Sequence, residues 1–180
     1  MSPLVDPADP VPHLPALRRY ALALTRHRDT ADDLVQDALV KAYKYRRNYR
    51  GEGMRAWLFA IMHNTFRDDR RRAGSETVRL AGLAPTISSS SPPSQDHVVR
   101  LAQIQAGFLE LPTDQRAALH LVAVEGFTYQ EAADTLGVPI GTLMSRLGRA
   151  RAALRRFEDD VAPPISGTPR LRIVGGADDA

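Results

Sequence analysis

The sequence predicts an all-α protein: two small helical domains joined by a flexible linker, the second containing a helix-turn-helix. Three observations carry this expectation. Apolar residues recur at helical spacing through most of the chain. No segment alternates apolar and polar residues between turn signals, so strands are not evident. The 180-residue chain is interrupted by "SSSSPP" at 88–93, a linker composition. The domains are expected over 10–72 and 96–157, with a linker over 73–95. The polar, Pro/Gly-rich tail 158–180 is expected to be disordered.

Each element has its own signals. A first helix is predicted from about Pro12 to His27, with Leu14, Leu17, Ala21 and Leu24 on one face. "RDTADDLVQDALVKAYKYRR" predicts a second, capped by Asp29 or Thr30. Acids fill its first turn and Lys41, Lys44, Arg46 and Arg47 its end, the order the helix dipole favours. "NYRGEG" then breaks the pattern with two glycines. "RAWLFAIMHNTFRDDRRR", residues 55–72, predicts a third helix, with Met54, Trp57, Leu58, Ile61 and Thr65 on a core face. Asn64 and Asp68 lie beside that face, one turn apart. Arg67, Arg70, Arg71 and Arg72 project around the outer side, and Phe59, His63 and Phe66 form a line expected to pack on a neighbouring helix. Four further helices are predicted from "DHVVRLAQIQAGFLEL", "TDQRAALHLVAVEG", "TYQEAADTLG" and "PIGTLMSRLGRARAALRRF".

Composition excludes several function classes. The absence of cysteine removes disulfides, a thiol nucleophile and thiolate metal sites. The five histidines are scattered, so no metal is expected and solvated or half-buried positions are anticipated for them. No acid/base pair or nucleophile constellation appears, so neither an enzyme nor a cofactor is expected. No apolar run approaches the roughly 20 residues that span a bilayer, and the N-terminus is acidic and proline-rich, unlike a signal peptide. A cytoplasmic protein without membrane insertion is the expectation. Net charge is only +3, yet residues 10–72 hold fourteen Lys and Arg against seven acids, and residues 141–156 hold five arginines and no acid. Two basic concentrations fit polyanion binding.

"TYQEAADTLGVPIGTLMSRLGRAR" is the most specific local signal. Thr128 and Glu131 have capping-box spacing, and Gly137 sits where a left-handed residue ends a helix. Val138 can plug between two helices, and Pro139 suits a first turn. On the next helix Leu143, Leu147, Ala150 and Leu154 face inward. Thr142, Ser145, Arg146, Arg149 and Arg151 lie off that stripe, free to meet DNA in a major groove.

Taken together these stretches resemble a bacterial RNA polymerase σ factor of the extracytoplasmic-function (ECF) class, within the σ70 family. "ADDLVQDALVKAY" resembles the family's polymerase-binding helix, "WLFAIMHNTFRDDRRR" its promoter-melting and −10-reading helix, and residues 111–154 its −35-reading domain. The resemblance implies that Asp33, Gln36 and Asp37 contact the β′ clamp helices of core polymerase, while the second domain meets the β flap. It implies a pocket for a flipped −10 base around Tyr49 to Gly53 with Asn64, aided by Arg67, Arg70 and Arg71. Thr142, Ser145, Arg146, Arg149 and Arg151 would meet the −35 duplex. Promoter DNA, core polymerase and an anti-σ factor are the implied partners. Met144 and Gly148 depart from the basic or larger residues common at their positions, which bears on the −35 sequence read. Two alternatives remain: a σ-mimic that sequesters an anti-σ factor, and a stand-alone helix-turn-helix repressor. The retained arginines count against the first, and "ADDLVQDALVKAY" with the Asn64 helix against the second.

Overall fold

The computed structural model describes residues 9–49, 53–77 and 104–161, and no strand occurs among them. A 3-10 turn, Val11–His13, leads into α1, Leu14–Thr25. Then come α2, Arg28–Tyr45, a 3-10 turn Arg46–Asn48, and α3, Met54–Thr77. The second unit comprises α4 over 104–110, α5 (Thr113–Leu119), a π-helical turn His120–Val124, α6 (Tyr129–Leu136) and α7 (Ile140–Val161).

Several boundaries differ from expectation for local reasons. Neither Asp29 nor Thr30 caps α2. His27 holds the cap position in an extended conformation without a side-chain bond, and the Thr30 hydroxyl donates back to the His27 carbonyl at 3.2 Å. α3 continues past residue 73 and α7 past residue 157, so both begin to use segments expected as linker and tail. The rest of those segments, 78–95 and 162–180, lies outside the described residues, as does 96–103 of the fourth predicted helix. The helix predicted over 113–126 is α-helical only to Leu119. It then widens by one residue, because the Glu125 N–H donates to the His120 carbonyl at 3.0 Å.

α1, α2 and α3 pack on one another, and α5, α6 and α7 form the second unit. The two units are not separate bodies on a string. α1 packs on α5 and α3 on α6, and one apolar core runs through both. Tyr20 stands at its centre, with ring centroids 5.1 Å from Phe59 and 5.4 Å from His120. Phe59 in turn meets Phe127 at 5.2 Å. This explains why the buried stripe of α3 is rotated from its predicted position. Met54, Leu58 and Thr65 are buried as expected, and Phe59 and His63 pack on neighbouring helices as the line they form with Phe66 had implied, but Trp57 and Ile61 are only half-buried, and Met62 is enclosed as well because the second unit covers that flank.

His63 and His120 are both buried, contrary to the expectation of solvated or half-buried histidines. The Tyr20 hydroxyl lies 3.0 Å from His63 Nδ1, which lets a polar pair enter the core without an orphaned group. Burial, and then the nearby Arg67 cation, lower the His63 pKa to about 4, and burial lowers that of His120. The unfolded chain therefore binds protons below about pH 6.5 that the folded chain refuses until about pH 4. Stability must rise with pH across that window and fall on acidification through it. The thermal midpoint is expected to drop between pH 7 and pH 5, and His63→Gln, which keeps a partner for Tyr20, to flatten the drop. A wild-type midpoint constant over that range would refute the burial argument.

Candidate nucleic-acid interface

The helix-turn-helix is built as its residues dictate. The Thr128 hydroxyl accepts from the Glu131 N–H at 3.2 Å, and the Glu131 carboxylate accepts from the Thr128 N–H at 2.8 Å. These bonds, the backbone one first, hold the Glu131 carboxyl below the usual carboxylate range. At the other end of α6, Gly137 takes φ 63°, a left-handed conformation costly to side chains, and its N–H returns to the Ala133 and Asp134 carbonyls. Val138 is half-buried against the core, and α7 begins directly after Pro139. Leu143, Leu147 and Ala150 are buried, which fixes the rotation of α7.

The opposite side of α7 presents Thr142, Ser145, Arg149 and Arg151 to solvent. Arg146 and Arg151 are not free, as had been expected of them. Arg146 Nη2 donates to Asp114 Oδ2 at 2.8 Å, and Arg151 to the Tyr129 hydroxyl at 3.3 Å. Both contacts are on the surface, where such pairs contribute about 0–1 kcal/mol, so phosphate can displace them. Met144 and Gly148 are exposed on the same helix, and a side chain at Gly148 would meet open space.

On α3, Asn64, Arg67, Asp68, Arg70 and Arg71 are all exposed. The Arg70 guanidinium lies 5.8 Å from the Phe66 ring centroid. Tyr49 is half-buried with its ring 5.2 Å from Trp57, so the only tryptophan braces the residue that opens the predicted base pocket. The remainder of that loop, 50–52, lies outside the described residues. On α2, Asp33, Gln36 and Asp37 share the exposed face, opposite the buried Leu34, Val35 and Ala38.

The structure also brings together surfaces that the sequence placed in different domains. Arg26 and Arg70 from the first unit and Thr142, Ser145, Arg146 and Arg149 from the second line one cleft of about 910 Å³. A neighbouring groove of about 550 Å³ sets Asp33, Asp37 and Phe66 beside Thr113 and Arg116. No group of His, Asp and Glu among the described residues could hold a metal, and no described helix is long and apolar enough to cross a membrane.

Two residues of this junction were missed in the sequence reading. Arg116 is 1% exposed, and its guanidinium donates to the carbonyls of Ala23, Leu24, Leu109 and Leu111. The Glu125 side chain is 1% exposed. It accepts from Arg19 on α1 at 3.1 Å and from Arg55 on α3 at 2.8 Å, and lies 3.2 Å from His120 Nε2. The signal was present: both charges interrupt the otherwise apolar run "RAALHLVAVEGF".

Comparison with known proteins agrees with this arrangement. Residues 11–63 match a family model described as the Sigma2 domain of PhyR, and residues 101–154 match Sigma-70, region 4. The ECF RNA polymerase sigma factor EcfG of Rhodopseudomonas palustris is 39% identical over 143 residues, 78% of each chain. The chain belongs to the ECF RNA polymerase σ-factor family. The sigma factor RpoE of Bartonella quintana, solved with the anti-sigma factor NepR, is 35% identical, with a TM-score of 0.71 over 86% of this chain and 96% of that one. The anti-anti-sigma factor PhyR of the same organism, also solved with NepR, is 20% identical with a TM-score of 0.53. It covers 82% of this chain and 48% of PhyR, and shows the fold alone.

Because α6 and α7 are set by the Thr128 cap, Thr128→Ala is expected to destabilise the protein by about 1 kcal/mol. Urea denaturation checks this; a midpoint unchanged in the variant would mean that the cap contributes nothing to the motif.

Proposed function

We propose that this chain directs core RNA polymerase to a set of promoters and helps open them, without a catalytic centre of its own. The observation that carries this is the pairing of two exposed basic surfaces in one chain. One is Asn64, Arg67, Arg70 and Arg71 on α3; the other is Thr142, Ser145 and Arg149 on α7. In this reading α7 lies in the major groove of the −35 element, with Arg146 and Arg151 released to phosphates or bases. Asn64, with Tyr49 at the pocket edge, receives a −10 base extruded from the duplex. Asp33, Gln36 and Asp37 grip the β′ clamp helices and the second unit meets the β flap. An anti-σ protein is the inhibitory partner, by analogy with the NepR complex of the Bartonella relative.

One finding favours the σ-mimic alternative: the first unit matches the model built on PhyR, a protein described as an anti-anti-sigma factor. Against it, the relatives of higher identity are σ factors, and the DNA-facing arginines of both units remain exposed or lightly paired.

Run-off transcription with purified core polymerase on a pool of candidate promoters tests the proposal. Wild-type protein is expected to support specific initiation. Asp33→Lys with Asp37→Lys is expected to abolish co-purification with polymerase and leave the thermal midpoint little changed, since both carboxylates are exposed. Wild-type binding should weaken as salt screens these charges. If wild-type protein fails to bind core polymerase at low salt, the mimic reading replaces this one.

Asn64→Ala isolates the −10 contact. Folding and polymerase binding should persist, while open-complex formation falls by about 1–3 kcal/mol, the worth of a base-specific hydrogen-bond set. Permanganate reactivity at the start site reads this directly, and wild-type reactivity in the variant would remove Asn64 from the role.

A further inference from the structure

α7 meets solvent along a strip that carries almost no side chain. At helical spacing, Gly141, Ser145, Gly148 and Ala152 lie opposite the buried Leu143, Leu147 and Ala150. All four are exposed, and a Cβ added at either glycine would meet nothing within 4 Å. A helix with so low an outer ridge can bring its backbone close to another surface, so the longer side chains on its two edges decide what it touches. Those edges differ in chemistry. One carries Thr142, Arg146 and Arg149, a hydroxyl and two cations. The other opens with Ile140 and Met144, one turn apart and 44% and 54% exposed, and only then reaches Arg151.

A single exposed apolar residue needs no explanation, but two in register on this helix do. Neither side chain donates a hydrogen bond, so neither can hold a phosphate, and leaving them in water gains the free protein nothing. They occupy the first two turns of α7, the part of a recognition helix whose side chains reach base edges in the major groove. Among those edges the apolar feature is the C5-methyl group of thymine. Met144 is unbranched and flexible, so its thioether can settle against a methyl group without a fixed approach. Ile140, one turn earlier, would cover that contact from water.

We propose that Met144, flanked by Ile140, reads a thymine of the −35 element through its C5-methyl group. This apolar contact then sets specificity beside the polar contacts of Ser145 and Arg149. The proposal rests on the σ reading, which supplies the promoter.

Removing the methyl group alone tests it. Promoters are selected with holoenzyme containing the full chain, from a pool randomised over the −35 element. Each −35 thymine, on either strand, is then replaced in turn by deoxyuridine, which keeps the hydrogen-bonding groups and lacks only the methyl. Thymine and deoxyuridine templates with run-off products of different length compete for limiting holoenzyme. At one position the thymine template should win about fourfold, the worth of one buried methyl group. Met144→Ala and Met144→Gln should bring that ratio to about one, while Met144→Leu, of similar volume, should keep most of it. Circular dichroism should be native in all three, since the residue is exposed. With 5-iodouracil at the same position, irradiation of the wild-type complex should cross-link the DNA to the peptide that holds Met144.

A ratio of one at every thymine would overturn the contact, as would a selected −35 element with no thymine in either strand. So would a fourfold ratio that persists in natively folded Met144→Ala and Met144→Gln. If both variants unfold, the cross-link decides, and attachment to any other peptide overturns the contact. Failure of the σ reading looks different: no template supports run-off with either base, and the methyl contact falls with it.

Discussion

A single guanidinium holds the junction on which the architecture depends. α1 ends at Thr25, and Arg26 takes a left-handed conformation, φ 66°, that a side chain rarely adopts. The Arg26 N–H satisfies the Leu22 carbonyl, and the Thr25 hydroxyl donates to that of Ala21. The carbonyls of Ala23 and Leu24 still lack helical donors, at the negative end of the helix dipole. Arg116 supplies both from α5, and with its remaining donor holds the Leu109 and Leu111 carbonyls at the α4–α5 corner. Burial, and then Arg26 and Arg70, lower its pKa to about 10, so the group remains a cation at neutral pH. Its acceptors are main-chain oxygens from two units, so it cannot be exchanged for an apolar residue without stranding carbonyls on both sides.

That constraint shows where the sequence was legible and where it was not. The helix-turn-helix could be read residue by residue, because a capping box, a left-handed glycine and a 4-3-4 apolar stripe are local signals. Long-range pairings were not legible. Nothing adjacent in sequence says that Arg116 will meet the end of α1, or that Glu125 will find Arg19 and Arg55. The half-burial of Trp57 and Ile61 and the full burial of His63 and His120 follow from that same contact between units, whereas the packing of the Phe59–His63–Phe66 line was legible. Predicting the N-cap of α2 failed for a different reason: the two suitable residues, Asp29 and Thr30, are the second and third residues of the helix, not its boundary.

The residues proposed to meet DNA differ in how freely they are held. Ser145 and Arg149 are open to solvent, whereas Arg146 and Arg151 are lightly held by Asp114 and Tyr129. Such surface contacts restrict long side chains without much enthalpic reward, so they reduce the rotamer freedom to be lost on meeting DNA. The same economy applies to Tyr49, which Trp57 already braces. Exposed Met144 and Gly148 leave part of α7 without polar groups, which in the proposed −35 reading leaves fewer positions for hydrogen-bonded base recognition than a fully basic helix would offer.

The shared core has a further consequence that follows from chain connectivity. The two units are covalently tethered through segment 78–103, so their encounter is intramolecular. A tether of modest length presents each partner to the other at an effective concentration that reaches the millimolar range for short connections. The shared core therefore stays closed at a lower intrinsic affinity than two untethered units would need. The joint between α1, α3 and the Glu125 turn need only be weak in absolute terms, and a competitor arriving at micromolar concentration must outbid the tether, not the interface. Lengthening or cutting the connection would shift that balance without altering a single buried contact.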